Sequence, residues 1–232
     1  MAGAYRALSF DGDGTLWNFE TAMSLALEDA ARLLRASGAR RPDGPVTARW
    51  LREVRDSVAR LDAYRGQSME KIRLASFEAA LTDCGHADPK LARHVHDVYM
   101  RARWERLRAY EDVPSSLAAL RPRFRLALVT NGNTHPRRVG LDGLFEAVVV
   151  AAECGFHKPD PQIYHVMLER MRLEACDVLH VGDDPVEDVV AAQRAGLDTV
   201  WINRDRLEWT HDEAPSMAAA DLRELTLRLT SR

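Results

Sequence analysis

Tyr5-Arg6-Ala7-Leu8-Ser9-Phe10-Asp11-Gly12-Asp13-Gly14-Thr15-Leu16 is the stretch on which the fold turns. A short, largely apolar run stops at two aspartates with glycines between and after them, the pattern of a strand running into a loop. From about Phe19 to Arg108 the pattern becomes helical. Ala, Leu, Arg and Glu dominate, and apolar residues recur every three or four positions, as at Ala22, Leu25, Ala26, Ala30, Leu33 and Leu34. Breaks at Gly38 to Pro45, near Gly66-Gln67-Ser68 and at Gly85 to Pro89 divide the segment into roughly four helices, with Ser68 and Asp88 as expected N-caps. After Asp112-Val113-Pro114 short β-rich runs alternate with helical stretches. Strands are predicted at Phe124–Val129, Ala147–Ala151, Val178–Val181 and Thr199–Ile202, and helices at Pro161–Met171, Pro185–Ala195 and Ser216–Leu229. Such alternation means βαβ units and a parallel sheet. The expected fold class is α/β, interrupted after its first strand by an all-helical insert.

The chain has 232 residues, 46% hydrophobic and 29% charged, enough for one large domain or one domain carrying an insertion. This composition excludes intrinsic disorder, collagen-like architecture and a disulfide-dense mini-protein. No run approaches the ~18 apolar residues of a membrane span, and the N-terminus lacks the pattern of a signal peptide. Cys84, Cys154 and Cys176 are odd in number and form no CxxC pattern, so they read as reduced, buried thiols of a cytoplasmic protein. A net charge of -3 gives no case for a nucleic acid polymer or a membrane as partner. That total conceals a division: residues 20–110 carry 17 basic and 13 acidic side chains, against 15 and 22 in the remainder. Only three basic residues are lysine: Lys71, Lys90 and Lys158. No oligomeric state is read from the sequence.

Four segments sit at the C-terminal ends of predicted strands, the edge where open α/β sheets bind ligands. Asp11 and Asp13 can point into one pocket, to hold a hard cation or to divide nucleophile and acid–base roles; they could equally satisfy a polar turn. Thr130-Asn131-Gly132 offers a hydroxyl and successive N–H groups suited to an anion, or an ordinary strand-to-helix cap. Lys158 is the only lysine outside the helical segment, a compact charge suited to sit between a carboxylate and a phosphate. Gly182-Asp183-Asp184, with Asp188 one turn further on, adds more acids. Helix capping explains some of them, but carboxylates gathered on one edge repel unless a cation neutralises them. Mg2+ suits such an oxygen-only site and leaves positions for phosphate oxygens and water.

In this order, Asp-x-Asp-x-Thr, Thr130, Lys158-Pro159 and Gly-Asp-(x4)-Asp resemble the haloacid dehalogenase (HAD) superfamily over essentially the whole chain. The resemblance implies a Rossmann-like core of residues 1–17 and 112–232, with residues 18–111 as the helical C1 cap of subfamily I. It implies a phosphatase in which Asp11 attacks phosphorus to form an aspartyl-phosphate, and Asp13 protonates the leaving oxygen and then activates water. Mg2+ would be held by Asp11, the Asp13 carbonyl and Asp183, supported by Asp188, with Asp184 a competing ligand. Thr130, Asn131, Gly132 and Lys158 would bind the phosphate of a small phosphorylated metabolite, of nucleotide or sugar phosphate type.

Other residues receive plainer readings. Trp17 and Asn18, just past the first motif, are placed to contact the leaving group, though packing where the chain enters the insert is the plainer reading of Trp17; His157, His94 and His96 are expected to be structural. Arg101, Arg103, Arg106 and Arg108 are expected on a solvated helix face. A phosphomutase would keep the same site. The dehalogenase branch resembles the chain less well, because it carries Tyr where this sequence has Asp13. A receiver domain fits neither the motif order nor the length, and a non-catalytic phospho-ligand binding protein would not need every catalytic position filled.

Overall fold

The structure, a computed structural model, describes residues 5–231. The chain divides into two compact units: one ends its first segment at Asn18 and resumes at Arg108, and the other is Phe19–Leu107.

The first unit opens with β1 (Ala7–Phe10). After the helical unit, which supplies α1 to α4, it continues with α5 (Val113–Leu120), β2 (Arg125–Thr130), β3 (Ala147–Val150), α6 (Ala151–Cys154) and α7 (Gln162–Met171). It ends with β4 (Val178–Gly182), a π-helical turn (Pro185–Val190) running into α8 (Ala191–Arg194), β5 (Asp198–Ile202), β6 (Met217–Ala219) and α9 (Leu222–Thr230). The six strands are all parallel, in the order β3-β2-β1-β4-β5-β6. β1 and β4 are buried along their whole length, which is why both read as nearly continuous apolar runs. The chain reverses direction across the sheet between these neighbours, so their C-terminal ends flank the crevice where doubly wound sheets bind ligands.

Three details depart from the sequence reading. The predicted helix from Ser216 starts only at Leu222, where the Asp221 side chain caps the Glu224 N–H. The helix-favouring residues before it instead pair with β5 as the edge strand β6; sheet pairing there outweighs local propensity. The helix after β4 opens as a π turn, with the Val189 N–H bonded to the Asp184 carbonyl. Finally, Asp112-Val113-Pro114 starts α5 with proline in its first turn, where its missing N–H costs nothing.

The second unit comprises α1 (Phe19–Ala36), α2 (Ala48–Ala59), α3 (Met69–Asp83) and α4 (Pro89–Arg106). Ser68 and Asp88 do cap α3 and α4, accepting from Lys71 N and from Lys90 N and Leu91 N. The helices enclose their own apolar core, including Leu34, Leu51, Phe77, Leu81 and Tyr99. Arg103 corrects the expected solvated face: it is fully buried, with its guanidinium over the Phe19 and Trp104 rings. His96 is buried beside Phe77, and His94 is exposed. The cysteines are not buried as expected; Cys84 and Cys154 are half-buried and Cys176 is exposed. Among the described residues no helix is long and apolar enough to cross a membrane.

Candidate active site

Each of the four motifs follows a strand of the parallel sheet, and the sheet brings their side chains together. Asp11 leaves β1 with its N–H on the Val181 carbonyl of β4. Its carboxyl is buried, with Oδ1 2.5 Å from Lys158 Nζ. Lys158 Nζ lies 2.6 Å from Asp188 Oδ1, so one ammonium joins the first and last motifs. Asp183, on the turn after β4, accepts from Thr15 Oγ1 at 2.7 Å, and its backbone carbonyl accepts from Trp201 Nε1 at 2.8 Å. The loop glycines are required here. Gly14 has φ +92°, and a Cβ on it would lie 2.4 Å from Asp183 Oδ2.

Asp11, Asp183 and Asp188 each offer a carboxylate oxygen within 4.8 Å of the others, the arrangement that holds a cation. Asp11 Oδ2 is buried and has no hydrogen-bond partner, a costly state for a carboxylate oxygen unless something positive meets it. Hard oxygen donors and one orphaned lone-pair set fit Mg2+. The electrostatics agree. Burial, with Asp188 and Asp183 nearby, pushes Asp11 well above the usual carboxylate range against the pull of Lys158. Burial, then Asp188, pushes Asp183 up to about 7. Asp188 feels the same burial, but Lys158 and His180 outweigh it and hold it well below the ordinary value. Burial alone would lower Lys158, yet Asp11 and Asp188 outweigh it and raise it.

The carboxylate of Asp13 lies outside this acid cluster. Its Oδ1 receives the Trp17 indole Nε1 at 2.5 Å, and a Cβ on Gly132 would lie 2.3 Å from its Oδ2. Trp17, read as packing at the entry to the insert or as touching the leaving group, is fully buried and bonds to a candidate catalytic group. Thr130 is fully buried at the end of β2, and its Oγ1 accepts the Gly132 N–H at 3.1 Å, leaving the hydroxyl hydrogen to donate.

The side chain of Asn131 turns to the protein itself. Its Oδ1 accepts Lys158 N at 2.8 Å, and its Nδ2 donates to Lys158 O at 2.9 Å and Glu187 Oε2 at 2.8 Å. It clasps the Lys158 backbone from both sides. Asp184 caps the following turn: its Oδ1 accepts Val186 N and Glu187 N at 2.8 Å each, and the residue is exposed. His157 is exposed. The residues missed by sequence reasoning are His180 and Tyr164, buried beneath the cluster, with His180 Nε2 3.4 Å from Asp188 Oδ1. Polar side chains inside strong apolar runs were their only signal.

The family model for haloacid dehalogenase-like hydrolases matches residues 5–196. This chain belongs to that family. A phosphoserine phosphatase of Thermus thermophilus is 32% identical over 188 residues, 78% of this chain and 73% of that protein. Among solved structures, a 2-haloacid dehalogenase from Pseudomonas syringae pv. Tomato DC3000 is 30% identical with a TM-score of 0.77, covering 98% of this chain and 99% of that one. The HAD-hydrolase YfnB from Bacillus subtilis, bound to magnesium, is 26% identical with a TM-score of 0.74 and covers 98% and 99%. The HAD fold and a hydrolase of this family are therefore established for the chain, in agreement with the motif order.

Proposed function

We propose that the chain is a Mg2+-dependent phosphatase, in the cytoplasm, acting on a small phosphomonoester of nucleotide or sugar phosphate type. The observation that carries this reading is the buried Asp11, bonded to Lys158 through one oxygen while the other faces no protein donor. Asp11 is the nucleophile toward phosphorus. Lys158 has two N–H groups on Asp11 and Asp188 and a third for a phosphoryl oxygen. Thr130 donates its hydroxyl to the same group. Asp13, outside the acid cluster, gives a proton to the leaving oxygen and then takes one from the water that opens the aspartyl-phosphate. Asp11, Asp183 and Asp188 would hold Mg2+, which when bound neutralises charge between the anionic nucleophile and the anionic substrate.

The 2-haloacid dehalogenase likeness gives a second reading, since an Asp nucleophile also serves displacement at carbon. The three-carboxylate cluster and Asp13 both favour phosphate. Purified protein given an aryl phosphate with Mg2+, the same with EDTA, and 2-chloropropionate separates the two. Mg2+-dependent release of phosphate supports the phosphatase; chloride release without metal overturns it. A metabolite panel then fixes the substrate, and turnover of a sugar phosphate to its isomer in place of hydrolysis identifies a phosphomutase.

A further inference from the structure

Beneath the carboxylates lies a buried polar chain that the proposed chemistry does not use. Ser9 of β1 and His180 of β4 are register partners, both fully buried. Tyr164 of α7 meets His180 edge-on, ring centroids 4.8 Å apart, and belongs to an otherwise aliphatic layer with Ala127, Val129, Ile163 and Met167. Apolar side chains would fill this layer without desolvating three polar groups. Ser9 Oγ lies 2.8 Å from His180 Nδ1, and His180 Nε2 lies 3.3 Å from Tyr164 Oη and 3.4 Å from Asp188 Oδ1. From Asp188 the chain passes through Lys158 to Asp11.

The hydrogens can be assigned from the partners. Tyr164 donates its single hydroxyl hydrogen to the Glu187 carbonyl at 2.7 Å, so toward His180 it can only accept. Asp188, paired with the Lys158 ammonium, is an acceptor too. Both atoms facing Nε2 are acceptors, so Nε2 carries the hydrogen. Nδ1 faces the Ser9 hydroxyl, which donates to it. Asp188 is thus held by donors from three places: His180 on β4, Lys158 after α6, and the Asp184 N–H at 3.0 Å on its Oδ2.

We propose that His180, held as its Nε2–H tautomer by the acceptors Asp188 and Tyr164 and steadied at Nδ1 by Ser9, is a positioning residue that aims Asp188 Oδ1 at Lys158 and so keeps Lys158 Nζ on Asp11. Its consequence for turnover rests on the phosphatase reading above. Gln places an amide N–H near the Nε2 position, whereas Asn reaches only as far as Nδ1 and Phe carries no donor. The test uses full-length protein labelled with 15N in its imidazoles, with His180→Gln to assign the His180 resonances. Long-range 1H–15N spectra should show one Nε2–H ring at His180, and Ser9→Ala should leave that tautomer in place, because both acceptors at Nε2 remain. With an aryl phosphate and Mg2+, His180→Phe should lower kcat by about 10- to 100-fold with KM nearly unchanged, and His180→Gln should restore most of it. An Nδ1–H or doubly protonated ring, or equal losses in the Gln and Phe variants, overturns the proposal. Should His180→Phe not fold, the Gln and Asn variants make the same comparison, and equal losses there overturn it. The spectra need no turnover. A wild type inactive on phosphomonoesters would therefore overturn the phosphatase reading while leaving the tautomer to be judged by the spectra.

Discussion

Asp11 concentrates opposing demands in one carboxyl group: it is buried, one oxygen sits on Lys158, and the other has no protein partner. Asp11→Asn keeps the shape and removes the carboxylate proposed as nucleophile. Phosphate release should fall by on the order of 1000-fold or more. The melting temperature of the metal-free protein should not fall, because burial and two neighbouring acids already disfavour the charged form. Calorimetry in EDTA beside an initial-rate assay checks both halves. The glycines give a second test. Gly132→Ala drives a methyl group into Asp13 Oδ2, and Gly14→Ala adds a clash with Asp183 to an unfavourable positive φ. Both should lower kcat sharply, and isothermal titration should show weakened Mg2+ binding for Gly14→Ala alone. At this scale the charged residues of the site were legible, since Asp11, Asp13, Lys158, Asp183 and Asp188 follow strands in a recognisable order. What the Asn131 side chain does was not legible, because its partners, the Lys158 backbone and Glu187 Oε2, lie 27 and 56 positions away, contacts that no local pattern encodes. His180 was hidden for a related reason: its hydrogen bonds depend on which face of an apolar strand its side chain takes.

Elements were legible where pattern and packing agree, as in the buried strands β1 and β4 and the capped helices α3 and α4 of the insert. They were not legible where tertiary pairing wins, as in β6, or where a turn departs from α geometry, as at Pro185–Val190. That π turn brings Asp188 back under Lys158, and such turns recur at functional sites. The caps allow an expectation confined to the helical unit. Asp88→Ala removes the acceptor for Lys90 N and Leu91 N and should cost about 1 kcal/mol. That lowers the melting temperature by about 2–4 °C in a chain of this size. Turnover of the folded protein should be unchanged. Thermal unfolding followed by circular dichroism, beside kcat at 25 °C, measures the two effects separately.

Across the molecule, the acid cluster links metal, pH and stability. Asp183 titrates near 3.8 when unfolded and at about 7 when folded, and Asp11 is displaced in the same direction. A carboxyl whose folded value is raised favours the fold while protonated, and that contribution is lost as pH rises through the folded value. Metal-free protein should therefore lose stability between about pH 4 and 7. A bound divalent cation releases those protons, so Mg2+ should stabilise the protein more at pH 8 than at pH 5. Urea unfolding with EDTA and with Mg2+ at the two pH values tests this; an equal metal effect at both would contradict it. A last consequence follows from how the helical unit leaves and rejoins the chain. Asn18 N bonds to the Arg108 carbonyl, the Asn18 side chain accepts Arg108 N, and Trp17 bridges Ala109 antiparallel. The insert thus departs and returns through a single doorway, like a cassette spliced into a hairpin tip. Replacing Phe19–Leu107 with a short Asn-Gly turn should leave a sheet that still folds. On the same grounds, this cassette could be exchanged or lengthened without disturbing the strands that precede and follow it.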